Sequence, residues 1–396
     1  MTSPDPIEPK TGDGPLAGVR ILDLTSVFMG PLATSCLADL GADVIKVESP
    51  DGDVIRSIGP GGEDGVGAIF QHLNRNKRSI VLDLKDSGDL ASLLELVKDA
   101  DVLVYNIRPA AMTRLGLGWE RLHALNPRLI FAGTFGYSQR GCYAAEPAFD
   151  DLIQAASGLA HSISVATGGP PAYAPVTVAD RAVGYYAFGA IAAALFARER
   201  TGKGQRVDVP MFETMTSFVM GDHMYGHTYE NPQADYGYPR LMAKTRRPYR
   251  TQDGYVCCTV YTDAQWRAFL NAAGRGEMFD EDSRFRDLGT RTRHIEALYG
   301  LVEDILQTRT TLEWRTILSP HGIPIFPVHD FDSLLEDPHL KGIDFFASLQ
   351  DVRGQDIRLM NCPSEWSNGL PGIRSAAPRK GAHTDEVLAS IRGEVG

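Results

Sequence analysis

The stretch GVRILDLTSVFMGPLATSCLADLGADVIKVE, residues 18–48, decides the fold. Residues 19–24 (VRILDL) read as a buried strand. The loop TSVFMGP follows, and Pro31 starts a helix, where its missing N–H costs nothing. That helix runs to Leu40 and stops at Gly41. Residues 43–48 (DVIKVE) form the next strand, which completes a βαβ unit. The alternation continues with strands at 79–84 (SIVLDL), 101–105 (DVLVY) and 129–134 (LIFAGT), and a helix at about 87–98. Strands alternating with helices predict an open, parallel, Rossmann-like α/β sheet.

The second decisive stretch is VTVADRAVGYYAFGAIAAALFARERTGKGQ, residues 176–205. From Ala182 to Leu195 its only polar side-chain groups are the hydroxyls of Tyr185 and Tyr186, and glycine and alanine dominate. A helix apolar all round is expected to be buried on all sides. The apolar run is too short to cross a bilayer, which takes roughly 20 residues. One acid, Asp180, stands at its N-terminal edge. Asp is a favoured N-cap, accepting from free amides of the first turn. The same position suits a carboxylate nucleophile or base, and the two roles can coexist.

Composition narrows the class. The 396 residues suffice for one large or two ordinary domains, and 43% hydrophobic with 22% charged residues is globular. A net charge of −11 argues against a nucleic-acid partner, and no segment reads as a membrane span. Five cysteines without CxxC spacing suit free thiols in a cytoplasmic setting and leave no metal site. Residues 1–14 read as a flexible Pro/Gly-rich leader. A dinucleotide cofactor is a weaker reading, because the first strand–helix turn has no G-x-G-x-x-G; Glu48 alone stands where a ribose-binding acid would. Arg75, Lys77, Arg78, Arg108 and Arg114 cluster at the expected strand ends, where open α/β sheets bind ligands. Any one of them reads as solvated; as a set in an acidic chain they point to a phosphate-bearing ligand.

The helix followed by RERTGKGQRVDV, with the blocks GVRILDLTSVFMGP, GADVIKVESPDGDVIR, LNRNKRSIVLDL, DVLVYNIRPAAMTRLGLGW and GAHTDEVL, resembles the family III CoA-transferases. These include formyl-CoA transferase, carnitine CoA-transferases and the related alpha-methylacyl-CoA racemases. The resemblance implies that Asp180 is the nucleophile and that CoA contacts fall on Val27, Phe28, Leu82, Asn106, Ile107 and Arg114, besides the cations Arg75, Lys77 and Arg108. It also implies a second acid at Asp150, at the start of the amphipathic helix expected over 147–162. Racemases of the family place a His where this chain has Phe149, and phenylalanine cannot move a proton. The implied activity is transfer of CoA from an acyl-CoA to a small carboxylic acid through mixed-anhydride and aspartyl-CoA thioester intermediates, with CoA as substrate and no tightly bound cofactor. A racemase or a non-catalytic CoA- or dinucleotide-binding protein are the alternatives. No glycine-rich loop like that of the formyl-CoA enzymes is present between Gly204 and Gly254. Arg246, Arg247 and Arg250, with Arg181, are candidates to clamp a substrate carboxylate.

The domain limits read as a large CoA-binding α/β domain over 15–227, a small α+β domain over 228–329 and a segment over 330–396 that returns to the large domain. Within the small domain an Asp-Gly turn joins two strands, and helices follow at 290–307 and 311–318. The resemblance further implies a homodimer of interlocked rings.

Overall fold

The computed structural model describes residues 14–367 and 371–392, so the leader expected at 1–14 lies outside the described residues save Gly14. Six strands, β1 (Arg20–Leu24), β2 (Asp43–Glu48), β3 (Lys77–Val81), β4 (Val102–Tyr105), β5 (Ile130–Phe135) and β6 (Gln205–Pro210), form one sheet in the order β3-β2-β1-β4-β5-β6. Every pairing in it is parallel, as the alternating pattern requires. The order reverses between β1 and β4, the topological switch point at which such sheets bind ligands.

Helices of the same unit flank the sheet: α1 (Met29–Asp39), α2 (Ala68–Asn74), α3 (Ser87–Lys98), α4 (Pro109–Arg114), α5 (Trp119–Leu125), α6 (Asp150–Ala156) and α8 (Val178–Thr201); α7 (Leu159–Thr167) belongs to a second unit, and α9 (Met211–His223) runs from the first into it. Side chains alternate across a strand. Leu22, Leu24, Ile45, Val47, Leu103, Tyr105 and Phe131 therefore pack on one side with Leu93, Leu96 and Val97 of α3 and Leu122 of α5. Ile21, Val44, Val102, Val104, Ile130 and Ala132 pack on the other with Leu37 and Ala38 of α1 and Ile191, Ala194 and Leu195 of α8.

The edge strand β3 is covered by the C-terminal signature GAHTDEVL. His383 Nδ1 accepts from the Ser79 amide at 3.1 Å and Thr384 Oγ1 from the Val81 amide at 3.1 Å. The Gly381 amide donates to Ser79 Oγ, and Arg78 pairs with Glu386. Side chains thus satisfy the N–H groups that an edge strand otherwise offers to another chain.

The chain divides into two compact units. The first comprises the described residues up to Ser157, Pro175–Thr216 and those from Pro338 onward; the second comprises Gly158–Ala174 and Ser217–Asp337. In the second unit, antiparallel strands Tyr249–Arg250, Tyr255–Cys258 and Ile325–Pro327 pack with helices around Trp266, Phe269, Phe285 and Trp314.

Three local expectations are corrected. The amphipathic helix expected over 147–162 is two helices, α6 and α7, parted by Gly158 at φ 87°. Helix α8 is not buried on all sides: Ala179, Val183, Gly184, Ala187, Ile191, Ala194 and Leu195 face inward, while Tyr185, Tyr186 and Phe196 are 53%, 62% and 65% exposed. Asp180 is not the N-cap: Thr177 holds that position, and Asp180 is the third residue of the helix.

Candidate active site

The switch point holds a cleft of about 290 Å³. Its walls are the carboxyl ends of four neighbouring strands and the loops after them: Leu24, Thr25 and Ser26 from β1, Val47, Glu48 and Ser49 from β2, Leu82, Leu84 and Lys85 from β3, and Ile107 from β4. That volume lies at the small end of ligand pockets, roughly 300–1,000 Å³. A long ligand would run along the cleft with part of its length outside.

The loop from β1 into α1 forms one wall. Val27 adopts φ 72°, the left-handed region. For a β-branched residue this conformation costs of order 1–3 kcal/mol and persists only where surrounding structure imposes it. Val27 and Phe28 pack against Leu32, Ile55, Phe70, Leu73 and Ala377, and Phe28 is the N-cap residue of α1. Gly30 permits the chain's tight entry into α1, since a Cβ there would stand 2.4 Å from the Thr25 side chain.

Helix α8, which carries Asp180, packs on α1. Gly184 lies against the first turns of α1: a Cβ added to it would be 2.8 Å from the Met29 carbonyl oxygen and 3.1 Å from Leu32. Asp180 stands one helical turn before that contact. Its backbone N–H donates to Asp150 Oδ1 at 2.9 Å, and Asp150 Oδ2 accepts from Gln154 Nε2 at 2.6 Å. Asp150 itself is 9% exposed, at the start of α6. Burial, and after it the nearby Asp150 carboxylate, push the Asp180 carboxyl up to about 7, with Arg181 pulling the other way. The two acids therefore act as a pair, one on the backbone and the electrostatics of the other. Phe149 precedes α6 as its N-cap residue and is 67% exposed, an apolar ring where a proton-transferring group would be needed for racemisation.

The expected CoA-binding residues separate into two sets. Leu82 and Ile107 line the cleft, and Arg108 and Arg114 are exposed at the two ends of α4, which follows β4. Asn106 binds protein instead: its Nδ2 donates to the Ser26 carbonyl at 2.7 Å and its Oδ1 accepts from the Ser26 amide at 3.1 Å. Arg75 and Lys77 are corrected. The Arg75 guanidinium is paired with Asp39 in the interior. Lys77 is fully buried, its Nζ bonded to Asp23, the Pro31 carbonyl, Thr34 and Asn74. A phosphate cannot reach either without breaking a buried ion pair. Lys85, which the sequence reading passed over, lines the cleft on the loop after β3 and is exposed. Its signal was available: a cation just past the end of an apolar strand. Arg246 and Arg247 lie in the second unit, on a cleft of about 200 Å³ shared with Arg240, Tyr249, Thr259 and Tyr299, and Arg247 is paired with Glu303. Arg250 is in the strand Tyr249–Arg250.

Comparison with known proteins decides the family. The profile described as CoA-transferase family III matches residues 16–384. The chain belongs to this family. Among relatives of the family III CoA-transferase, an acetyl-CoA:oxalate CoA-transferase of Acetobacter aceti is 37% identical, covering 83% of this chain and 84% of that protein. A succinate–glutarate CoA-transferase of Agrobacterium fabrum is 32% identical, covering 95% and 96%. The crystal structure of a hypothetical protein from Mycobacterium tuberculosis superposes with a TM-score of 0.80 at 28% identity, covering 95% of this chain and 99% of that one. The chain is thus an enzyme, a CoA-transferase, whose substrates include CoA thioesters. Among the described residues no helix is long and apolar enough to cross a membrane.

Proposed function

We propose that this CoA-transferase moves CoA from an acyl-CoA to a small carboxylic acid by covalent catalysis on Asp180. The observation that carries the reading is the Asp150–Asp180 pair: a half-buried carboxylate with its titration lifted to about 7, its own backbone N–H held by a second acid, on the helix that packs against the first turns of α1, which the cleft-lining loop leads into. A carboxylate desolvated in this way is more basic, and so a stronger nucleophile when ionised, than one in water.

The Asp180 carboxylate attacks the acyl carbon of the donor; the C–S bond breaks, giving a mixed anhydride and the CoA thiolate. The thiolate attacks the Asp180 carbonyl carbon, releasing the donor acid as its carboxylate and leaving an aspartyl-CoA thioester. The acceptor carboxylate attacks that carbonyl, forming a second anhydride and freeing the thiolate. Attack of the thiolate on the acceptor's acyl carbon yields the new acyl-CoA and regenerates Asp180. The acylating power of the thioester is kept at every stage, provided water is excluded from the anhydride. The CoA chain lies in the switch-point cleft, with Leu82 and Ile107 along it and Lys85, Arg108 and Arg114 towards its phosphates. The two relatives named for oxalate, succinate and glutarate make dicarboxylic acids the first acceptors to try.

The test is trapping. Enzyme incubated with acyl-CoA alone and then treated with hydroxylamine should carry a hydroxamate at Asp180, read by peptide mass. Asp180→Asn and Asp180→Ala should abolish both trapping and transfer while leaving CoA binding in place. Transfer near the wild-type rate in either variant, or a label on Asp150, would overturn the assignment.

A further inference from the structure

The loop over residues 25–28 is fastened group by group by the side chains of Asp23 at the end of β1, Lys46 in β2, Asp53 in the loop after β2 and Asn106 just past β4. The Thr25 amide donates to Asp23 Oδ1 at 2.9 Å, and the Thr25 carbonyl accepts from Lys46 Nζ at 2.8 Å. Asn106 brackets Ser26 from both sides, accepting from its N–H and donating to its C=O. The Val27 amide donates to Asp53 Oδ1 at 3.2 Å. Lys46 and Asp53 are themselves an ion pair at 2.9 Å, with side chains 0% and 1% exposed. Behind them Glu48 accepts from the Asp53 amide and is held by Arg56 through two charge-assisted bonds.

We infer that Lys46, Asp53 and Asn106 are positioning residues: together they force Val27 into its left-handed backbone and so set the shape of the cleft wall that CoA meets. Of the four non-glycine described residues with positive φ (Val27, Asn76, Tyr225 and Asp344), Val27 alone is β-branched, and it is the one beside the cleft. A loop that needed only to turn would carry glycine there, which takes positive φ freely. Glycine would also take negative φ freely. Valine, anchored on Leu32, Ile55 and Phe70, leaves one backbone shape while the clamp is intact and favours a different one when it is not. Thr25 and Ser26, which line the cleft, and Phe28 at the start of α1 move with that choice. The inference rests on the reading that CoA occupies the switch-point cleft.

A double-mutant cycle in the full-length enzyme tests it, with CoA affinity from calorimetry and KM for acyl-CoA as readouts. Asn106→Ala, which releases Ser26, should weaken CoA binding by about tenfold, inside the range of coupling for residues in one network. Its trapping rate at saturating acyl-CoA should be nearly unchanged, so that KM moves and kcat does not. Val27→Gly in the same chain should restore most of the loss, because glycine adopts the required φ without a clamp. Where Asn106→Ala does not fold, Asn106→Ser serves: it removes the bracket on Ser26 with a small polar side chain, and should show the same loss with the same recovery. Losses that merely add, with no recovery from Val27→Gly, would overturn the clamp and leave Asn106 acting through a contact of its own. Ser49→Trp separates the two levels. It fills the cleft from its exposed rim, and unchanged CoA affinity in that variant would show that CoA lies elsewhere, whatever the cycle gives.

Discussion

At the scale of single residues, the charge state of Asp180 sets the pH behaviour of the enzyme. Attack on the thioester needs the carboxylate, so the single-turnover rate of acylation should rise with pH through a midpoint near 7 and reach about a tenth of its plateau at pH 6. Asp150→Asn keeps an acceptor for the Asp180 amide but removes the like charge, so the midpoint should move to lower pH; an unmoved midpoint would mean that the charge of Asp150 is not felt. The linkage has a definite sign. The folded-state value is raised above the ordinary carboxylate value of 3.8, so ionising Asp180 opposes folding increasingly as pH rises from about 4 to about 7. Asp180→Asn should therefore melt at a higher temperature than wild type above pH 7 and at the same temperature below pH 4. Asp23, the partner of Lys77, illustrates the opposite case. It is held at about 2, burial opposing and the Lys77 and Lys46 charges lowering it. Its ionisation stabilises the fold above pH 4, a contribution lost as pH falls towards 2, whereas burial pulls Lys77 down to about 8, so the lysine's charge opposes folding at neutral pH. Lys77→Met should cost roughly 3–5 kcal/mol in urea unfolding, since it strands a buried carboxylate. It should leave the salt dependence of CoA binding unchanged. Arg114→Ala, at an exposed cation by the cleft, should instead weaken CoA binding by ~1–3 kcal/mol in calorimetry. In the sequence the two cations looked alike, because Lys77's partner lies 54 positions away and nothing local reveals it.

At the scale of elements, the sheet was legible because its information is local. Each strand is an apolar run with a helix after it, and the switch point follows from their order and a right-handed connection. The surface of α8 was not legible. Glycine and alanine give no polar contrast around the helix, so its inner and outer faces read alike until Gly184 is found against Met29 and Phe196 in solvent. The strain at Val27 was hidden for a related reason: the residue type argues against the backbone it adopts, and the bonds that impose it come from three separate stretches. The α1–α8 contact yields a direct test. Gly184→Val should drive α8 off α1, costing about 1–3 kcal/mol by overpacking and lowering the acylation rate, because Asp180 stands one turn away. A loss of stability with an unaltered acylation rate would show that this contact does not place Asp180. Gly189→Ala, five residues on with open space around its Cβ, should not destabilise the monomer's fold and serves as the control.

For the molecule as a whole, the exposed rings of Tyr185, Tyr186 and Phe196 run along one side of α8, an apolar surface of the kind that subunits cover. We expect a homodimer. Sedimentation should return about twice the 43.2 kDa of one chain, and Phe196→Glu should shift that equilibrium towards the monomer. A wild-type monomer at micromolar concentration would refute the expectation. The pairing of the C-terminal signature with β3 has a consequence for synthesis of the chain. Gly381 meets Ser79 across 302 positions, and Thr384 meets Val81 across 303. At the usual ~5–20 residues per second, the ribosome takes roughly 15–60 s to deliver the cover after the strand has emerged. Throughout that interval the nascent chain carries an open sheet edge, long enough to meet another copy on the same messenger RNA. The arrival of residues 381–384 is thus what ends the period in which the edge of β3 stands open.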